Sequence, residues 1–271
     1  QRADPVGPSP LRAITPSYLM IPALEPLFKG PLAPLGAWLA LDDDPRPALS
    51  MAEYLNGDQL GDLLQRFAPQ YANADQRGLV SLWGKYHFMR LVAPTVAASL
   101  LMNWRLPVRF DEIAVIVGDD GLPSAFQLPH QGSVWQSPPS DGFARFDTLF
   151  AGHLDVLIRE LAARYKVAPK VFWSSVGHYY EWILGEIDTL GLAPEPVAQA
   201  RQLLSERQRP DGTRNPLYDM VRYVPRAGQS TLHRQRKHCC IRYLLPDKAL
   251  CDNCPHLDKP PAGYDPAGRS D

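Results

Sequence analysis

The chain has 271 residues, enough to bury a sizeable core without crosslinks, and carries 28 basic against 29 acidic residues. That balance gives no global attraction to nucleic acid or to an anionic membrane, so no nucleic-acid partner is expected. A hydrophobic share of 45% with 21% charged residues describes a soluble globular protein, and the longest apolar run, Leu91 to Met102, is too short to cross a bilayer. No charged-then-apolar leader follows Gln1, and clustered thiols without partners elsewhere suit a reducing compartment, so a cytoplasmic location is expected.

Proline is frequent, with ten of 28 in the first 48 residues. Each removes a backbone donor and fixes φ, so residues 1–49 read as an extended wrapping arm with apolar patches at Tyr18 to Leu24 and Leu35 to Leu41. Residues 50–215 read as the main domain. Leu60, Leu63, Leu64 and Phe67 after Gly57-Asp58 have helical spacing. A long helical pattern runs from Asp75 to Trp104, which Pro94 should kink or divide. The period then changes: Ile113–Val117 and Pro123–Leu128 predict two strands about a Gly118-Asp-Asp-Gly121 turn. Helices follow over Phe146–Tyr165, from Pro169 to Leu190 with Gly191 as the stop, and from Pro194 to about Arg207. Beyond Pro210-Asp-Gly212 the chain reads as irregular. Residues 216–258 form a C-terminal cofactor-binding segment, and 259–271 a frayed tail. The predicted fold class is α+β: a helix-dominated domain with a small antiparallel sheet and a C-terminal cluster-binding segment.

All four cysteines fall in that last segment, as Cys239, Cys240, Cys251 and Cys254, a C-C-x10-C-x2-C pattern. Spacing alone leaves three arrangements open. Structural zinc favours two C-x2-4-C knuckles, and only Cys251–Cys254 is one. Adjacent Cys239 and Cys240 strain to reach one small ion, whereas a two-iron cluster is broader. Disulfides within so short a segment are the third arrangement.

The stretch Arg236-Lys-His-Cys-Cys-Ile-Arg-Tyr-Leu-Leu-Pro246, followed by Cys251-Asp-Asn-Cys-Pro255, closely resembles the C-terminal signature of FhuF-type ferric siderophore reductases. Upstream, Ser81-Leu-Trp83 through Pro94 and Val171-Phe-Trp173 through Trp182 resemble two tryptophan segments of that family. Ser174-Ser175 stands where the family often has Gly-Asn. The resemblance implies a [2Fe–2S] cluster on all four cysteines and residues 50–215 as a siderophore-binding domain. It also implies reduction of a ferric siderophore, most often of hydroxamate type, with Fe(II) released in the cytoplasm. A ferredoxin or flavodoxin is the expected donor, and peripheral contact with the inner membrane beside an importer is a further expectation.

Such chemistry needs no nucleophile or general base, because ferrous iron is held more weakly than ferric by hard siderophore oxygens. The chain accordingly lacks G-x-S-x-G, H-E-x-x-H, P-loop and G-x-G-x-x-G motifs. Between Asp219 and Asp247 there is no acid, but Arg222, Arg226, Arg234, Arg236, Lys237 and Arg242 are present. Such cations favour a reduced, more negative cluster, and they also suit an acidic donor protein. Trp173, Ser174, Arg234, Arg236, Lys237 and Arg242 are the candidate substrate contacts. His238 and His256 flank the cysteines but are not needed as ligands. Two rival readings are a siderophore-binding module with structural zinc and an iron–sulfur sensor; no helix-turn-helix with a basic face supports the second.

Overall fold

The computed structural model describes residues 20–226 and 230–269; the expected arm over residues 1–19, positions 227–229 and the last two residues lie outside the described residues. From residue 20 the proline-rich stretch folds onto the core. Turns of 3-10 helix at Pro22–Leu24 and Gly30–Leu32 lead to α1 (Ala33–Gly36) and strand β1 (Leu39–Leu41). All three helical pieces carry proline in their first two positions, where its missing N–H is an orphan anyway. Ile21, Leu24, Phe28 and Leu35 are buried beneath them. Strand β2 (Ala48–Ser50) runs into α2 (Met51–Tyr54), where Ser50 and Glu53 cap each other reciprocally. Asn56 caps α3 (Gly57–Phe67), its Oδ1 accepting from the Asp58 N–H.

Helix α4 (Gln76–Leu101) runs unbroken through Pro94, which does not divide it as the sequence predicts. A mid-helix proline costs about 3 kcal/mol. Every residue from Leu91 to Leu100 is buried, and each large aliphatic side chain there contributes about 1.5–3 kcal/mol, so packing outweighs the lost backbone bond. After β3 (Trp104–Arg105) comes the expected hairpin of β4 (Ala114–Val117) and β5 (Pro123–Leu128), then β6 (Ser133–Val134). The four-stranded sheet has the order β1-β5-β4-β2; β4 pairs antiparallel with both neighbours, and β1 is a parallel edge on β5.

The Phe146–Tyr165 stripe is interrupted. Short helices α5 (Gly142–Arg145) and α6 (Asp147–Leu149) are followed by a π-turn at Phe150–Leu154 and then α7 (Asp155–Tyr165). The π-turn carries His153 into the core, its Nε2 lying 3.0 Å from Nε2 of His87 on α4. Helix α8 (Pro169–Thr189) packs along α4, with Phe88 edge-on to Phe172 at 6.2 Å, and α9 (Pro194–Ser205) packs behind it.

Two C-terminal expectations change. The stretch read as irregular contains an antiparallel hairpin of β7 (Val221–Val224) and β8 (His233–Arg236). Its strand residues are mostly polar, so no apolar alternation marks it. The segment from Lys259 is anchored through residue 269. Tyr264 Oη accepts from the Leu250 N–H at 3.1 Å, and Arg269 donates to the carbonyls of Tyr243, Leu245 and Lys248 at 2.7–3.0 Å.

Candidate metal centre

Helices α4 and α8 are the bench on which the cysteine segment lies. Gly78 on α4 leaves room for Leu244, whose Cβ would stand 3.1 Å from an added Cβ. Gly177 on α8 faces Met220, where an added Cβ would clash at 2.5 Å. Each helix also supplies a buried serine: Ser81 Oγ–H donates to the Cys240 carbonyl at 2.6 Å, and Ser174 Oγ–H to the His238 carbonyl at 2.7 Å. These bonds fix the backbone on both sides of the adjacent cysteines. Ile241 then turns left-handed, with φ of 53°, a costly conformation for a β-branched residue, and its N–H points at Cys239 Sγ at 3.2 Å.

The second cysteine pair sits on a turn closed by the Cys254 N–H to the Cys251 carbonyl at 2.8 Å. Asn253 ties this turn to the hairpin and the bench: its carbonyl accepts from the Arg236 N–H at 2.8 Å, and its Nδ2 meets His178 Nδ1 at 3.2 Å. Arg242 Nε donates to the Ala249 carbonyl at 2.8 Å, bracing the loop between the two pairs. All four thiols are buried, with Tyr243, Leu257 and Tyr264 packed against them.

The sulfurs meet. Each thiol shares hydrogen bonds with two others in a closed ring, Cys239 to Cys240 to Cys251 to Cys254 and back, and the Sγ atoms of Cys254 and Cys239 are 3.6 Å apart. Bonds from Cys239 and Cys251 lower Cys254 to about 3 and hold Cys240 well below the usual thiol range; Cys239 and Cys251, as the proton holders, are raised. Among the described residues no group of three or more His, Cys, Asp or Glu side chains forms a ready-made single-ion site.

The donor set nonetheless fits an anionic thiolate-bound centre. Arg236 is only 2% exposed, and burial weighs against its charge. The neighbours that keep it protonated are Cys240, Cys251, Tyr179 and Cys239, and no carboxylate is among them. A buried guanidinium whose charge acts on the thiols suits an anionic, thiolate-bound group.

The other sequence candidates fall in two places. Arg234 forms a buried network with Glu181 and His178 on α8, joined by Tyr223 from β7. Lys237 stands 3.2 Å from an Asp219 carboxylate oxygen and over the Tyr218 ring. Trp173 is 5% exposed, packed near Phe150, while Ser174 is fully buried and engaged with the His238 carbonyl. Ser175 is buried with its hydroxyl unpartnered. Sequence reasoning gave no role to Ser81, Asn253 or Glu181: Asn253 sits inside the Cys251–Cys254 turn, while Ser81 and Glu181 act on the C-terminal segment from helices far upstream in the chain.

Residues 81–231 match the family described as "Ferric iron reductase FhuF-like transporter", and residues 236–256 match "FhuF 2Fe-2S C-terminal domain". The ferric siderophore reductase of Escherichia coli (strain K12) is 28% identical over 221 residues, covering 78% of this chain and 81% of that protein. Among solved structures, ATP-bound aerobactin synthetase IucA of Klebsiella pneumoniae is 11% identical with a TM-score of 0.50, over 65% of this chain and 38% of the synthetase. Aerobactin synthetase IucC of the same organism is 18% identical with a TM-score of 0.47, over 67% and 37%. This chain therefore spans little more than a third of either synthetase, and the IucA likeness bears on the fold alone. No helix among the described residues is long and apolar enough to cross a membrane. With more than half of its length inside the first family match and the whole cysteine motif inside the second, the chain belongs to the FhuF-like ferric iron reductase family and is an oxidoreductase.

Proposed function

We propose that this chain is a ferric-siderophore reductase in which Cys239, Cys240, Cys251 and Cys254 hold a [2Fe–2S] cluster. Siderophore-bound Fe(III) gains one electron and is released as Fe(II) in the cytoplasm, leaving the siderophore free for reuse. When bound, the cluster supplies a one-electron store. The observation that carries this reading is the gathering of four buried thiols, with Cys239 Sγ and Cys254 Sγ 3.6 Å apart, in the stretch that matches the 2Fe-2S family model.

The chain's own residues set the conditions. Arg236, with Lys85 also acting on Cys240, places positive charge beside the sulfurs and so favours the more reduced state. N–H donors from Ile241 and His256 on Cys239 and Cys254 act in the same direction. Leu250, Tyr243 and Tyr264 limit water at the sulfurs, and the Ser81 and Ser174 bonds hold the ligands in place without large rearrangement. On the substrate, the electron weakens a hard-ion chelate, and no proton transfer from the protein is needed. A small acidic donor such as a ferredoxin or flavodoxin, and peripheral docking at the inner membrane, complete the proposal.

Purified protein should be red-brown, contain iron and acid-labile sulfide, and bleach with dithionite. Anaerobic stopped-flow mixing of the reduced protein with ferric hydroxamates should restore the colour. Colourless protein with one zinc per chain, or reduced protein that no ferric chelate reoxidises, would overturn the reading.

A further inference from the structure

A cavity of about 610 Å³ opens beside the cysteine segment, walled in part by Arg207, Arg214, Tyr218, Asp219, Arg222 and Lys237. Its size is that of a small-molecule site. Its charge is lopsided, with four cations against the one carboxylate of Asp219, which already serves both Arg222 and Lys237. Arg207 and Arg214 have no carboxylate partner among the described residues. The Tyr218 ring orders the wall, with the Arg207 guanidinium 5.1 Å and the Lys237 ammonium 4.9 Å from its centroid.

The two arginines stand on a scaffold. Gln208 pairs with Arg214 across a tight hairpin, and the Arg209 N–H donates to the Thr213 carbonyl at 2.8 Å. Asn215, 2% exposed, locks the base by donating to the carbonyls of Leu203 and Glu206 at 2.6 and 2.8 Å. A solvated basic loop would need neither the lock nor the concavity. One residue of the wall, Lys237, is two residues from Cys239 in the chain, so their Cα atoms are separated by at most about 7.6 Å.

The geometry points to a substrate site for ferric chelates that carry free carboxylates, with Arg207 and Arg214 as the carboxylate-binding pair. This rests on the reductase reading above and deepens it, narrowing the substrate from hydroxamates in general to anionic ones. Guanidinium forks bind carboxylates in bidentate fashion, and two such contacts favour an anionic chelate over a cationic one of the same core. The redox step is unchanged: the iron gains one electron from the reduced protein and no covalent bond is made.

The test uses the metal-loaded, full-length protein and two redox-inert probes, the Ga(III) complexes of desferrioxamine B and of its N-succinyl derivative. They share a trishydroxamate core and differ in a terminal ammonium or carboxylate. Calorimetric titration at low salt should show the carboxylate probe binding about tenfold tighter or more, with the preference shrinking as salt is raised. An Arg207→Gln, Arg214→Gln double variant should lose most of that preference. Equal affinities for the unmodified protein overturn the inference, and this arm needs no variant to fold. A double variant that keeps the preference but is reduced more slowly by an acidic ferredoxin also overturns it, making the cavity a donor dock. If the Fe(III) complexes of both siderophores fail to reoxidise the dithionite-reduced protein, the reductase reading itself has failed. If both reoxidise it and the Ga(III) affinities are equal, only the carboxylate site is lost.

Discussion

Acid should destabilise this fold through the buried His87–His153 pair, well above the pH at which most carboxylates titrate. Both rings are fully buried, and aromatic rings surround them: Tyr54, Phe88 and Phe126 about His87, and Phe110 about His153. Burial depresses both, with the neighbouring imidazole a second cause at His87; His87 lies well below its ordinary value and His153 is lowered to about 3. The unfolded chain, with histidine pKa values of about 6.5, therefore binds more protons as pH falls below that value. Stability is intact above about pH 6.5 and is lost progressively as pH drops toward the folded values. At pH 5.5 each histidine costs about 1.4 kcal/mol, and the pair about 3 kcal/mol relative to pH 7.5. Urea unfolding followed by tryptophan fluorescence at the two pH values measures this. His178, also depressed by burial and then by Arg236 and Arg234, adds loss in the same direction, so the comparison needs a control. A His87→Leu, His153→Phe double variant removes both titrations and both ends of one buried hydrogen bond, which should change stability at pH 7.5 by no more than about 1.5 kcal/mol. Its loss between pH 7.5 and 5.5 should be about 3 kcal/mol smaller than that of the parent. Equal losses in the two proteins would refute the reasoning, and any acid lability of the metal centre cancels in the difference.

Three further outcomes are expected. Arg236→Met should lower the reduction potential of the loaded protein, since a unit charge about 8 Å away at an effective dielectric of about 20 is worth roughly 2 kcal/mol, or about 90 mV; a redox titration followed by electron paramagnetic resonance reads the shift, and an unchanged potential would disprove it. Ser174→Ala should cost about 1 kcal/mol and speed loss of visible absorbance under an iron chelator, because the His238 carbonyl beside the cysteines loses its donor. Glu181→Ala strands the half-buried Arg234 guanidinium, costing about 2 kcal/mol and raising hydrogen exchange across 221–236, while Glu181→Gln should recover part of the loss.

What the sequence disclosed and what it withheld divide along physical lines. Apolar periodicity and helix start and stop residues are written in the chain, so α3, α8 and α9 lie close to where Leu60 to Phe67, Pro169, Gly191 and Pro194 put them, while only the second half of the Phe146–Tyr165 stripe is α7. The cysteine spacing likewise marks the candidate metal centre, because thiolates are the usual ligands of iron–sulfur groups and the chain has only four cysteines, all in one segment. Pro94 does not divide α4 because propensity is a local quantity, whereas the burial that overrides it is tertiary. The π-turn that buries His153 has no composition signal at all. The β7–β8 hairpin escaped because Arg234 and Tyr223 meet α8 through one ion pair and hydrogen bonds to Glu181 and His178 rather than through an apolar face. Arg207 and Arg214 look like the charges of any solvated turn after Pro210-Asp-Gly212; only the buried Asn215 clamp and the folding of that turn against Tyr218 make them a wall.

The same contacts argue against treating the cysteine segment as a detachable module. Its thiols converge because two serines on α4 and α8, 159 and 64 residues upstream of the carbonyls they take, and two glycines on the same helices fix it and leave it space. Its own backbone is under strain at Ile241, a cost of order 1–3 kcal/mol that a short peptide of this composition has no core to offset. Glu181 and His178 then reach the hairpin that delivers Arg236 to the sulfurs. Positioning of the buried positive charge therefore depends on the helical domain, and so does any potential set by that charge. The two tryptophan segments that resemble the family upstream are the same helices, α4 and α8, that carry these serines, so the resemblance outside the cysteine motif falls on the helices that hold the motif in shape, although Ser174 itself stands where the family often has glycine.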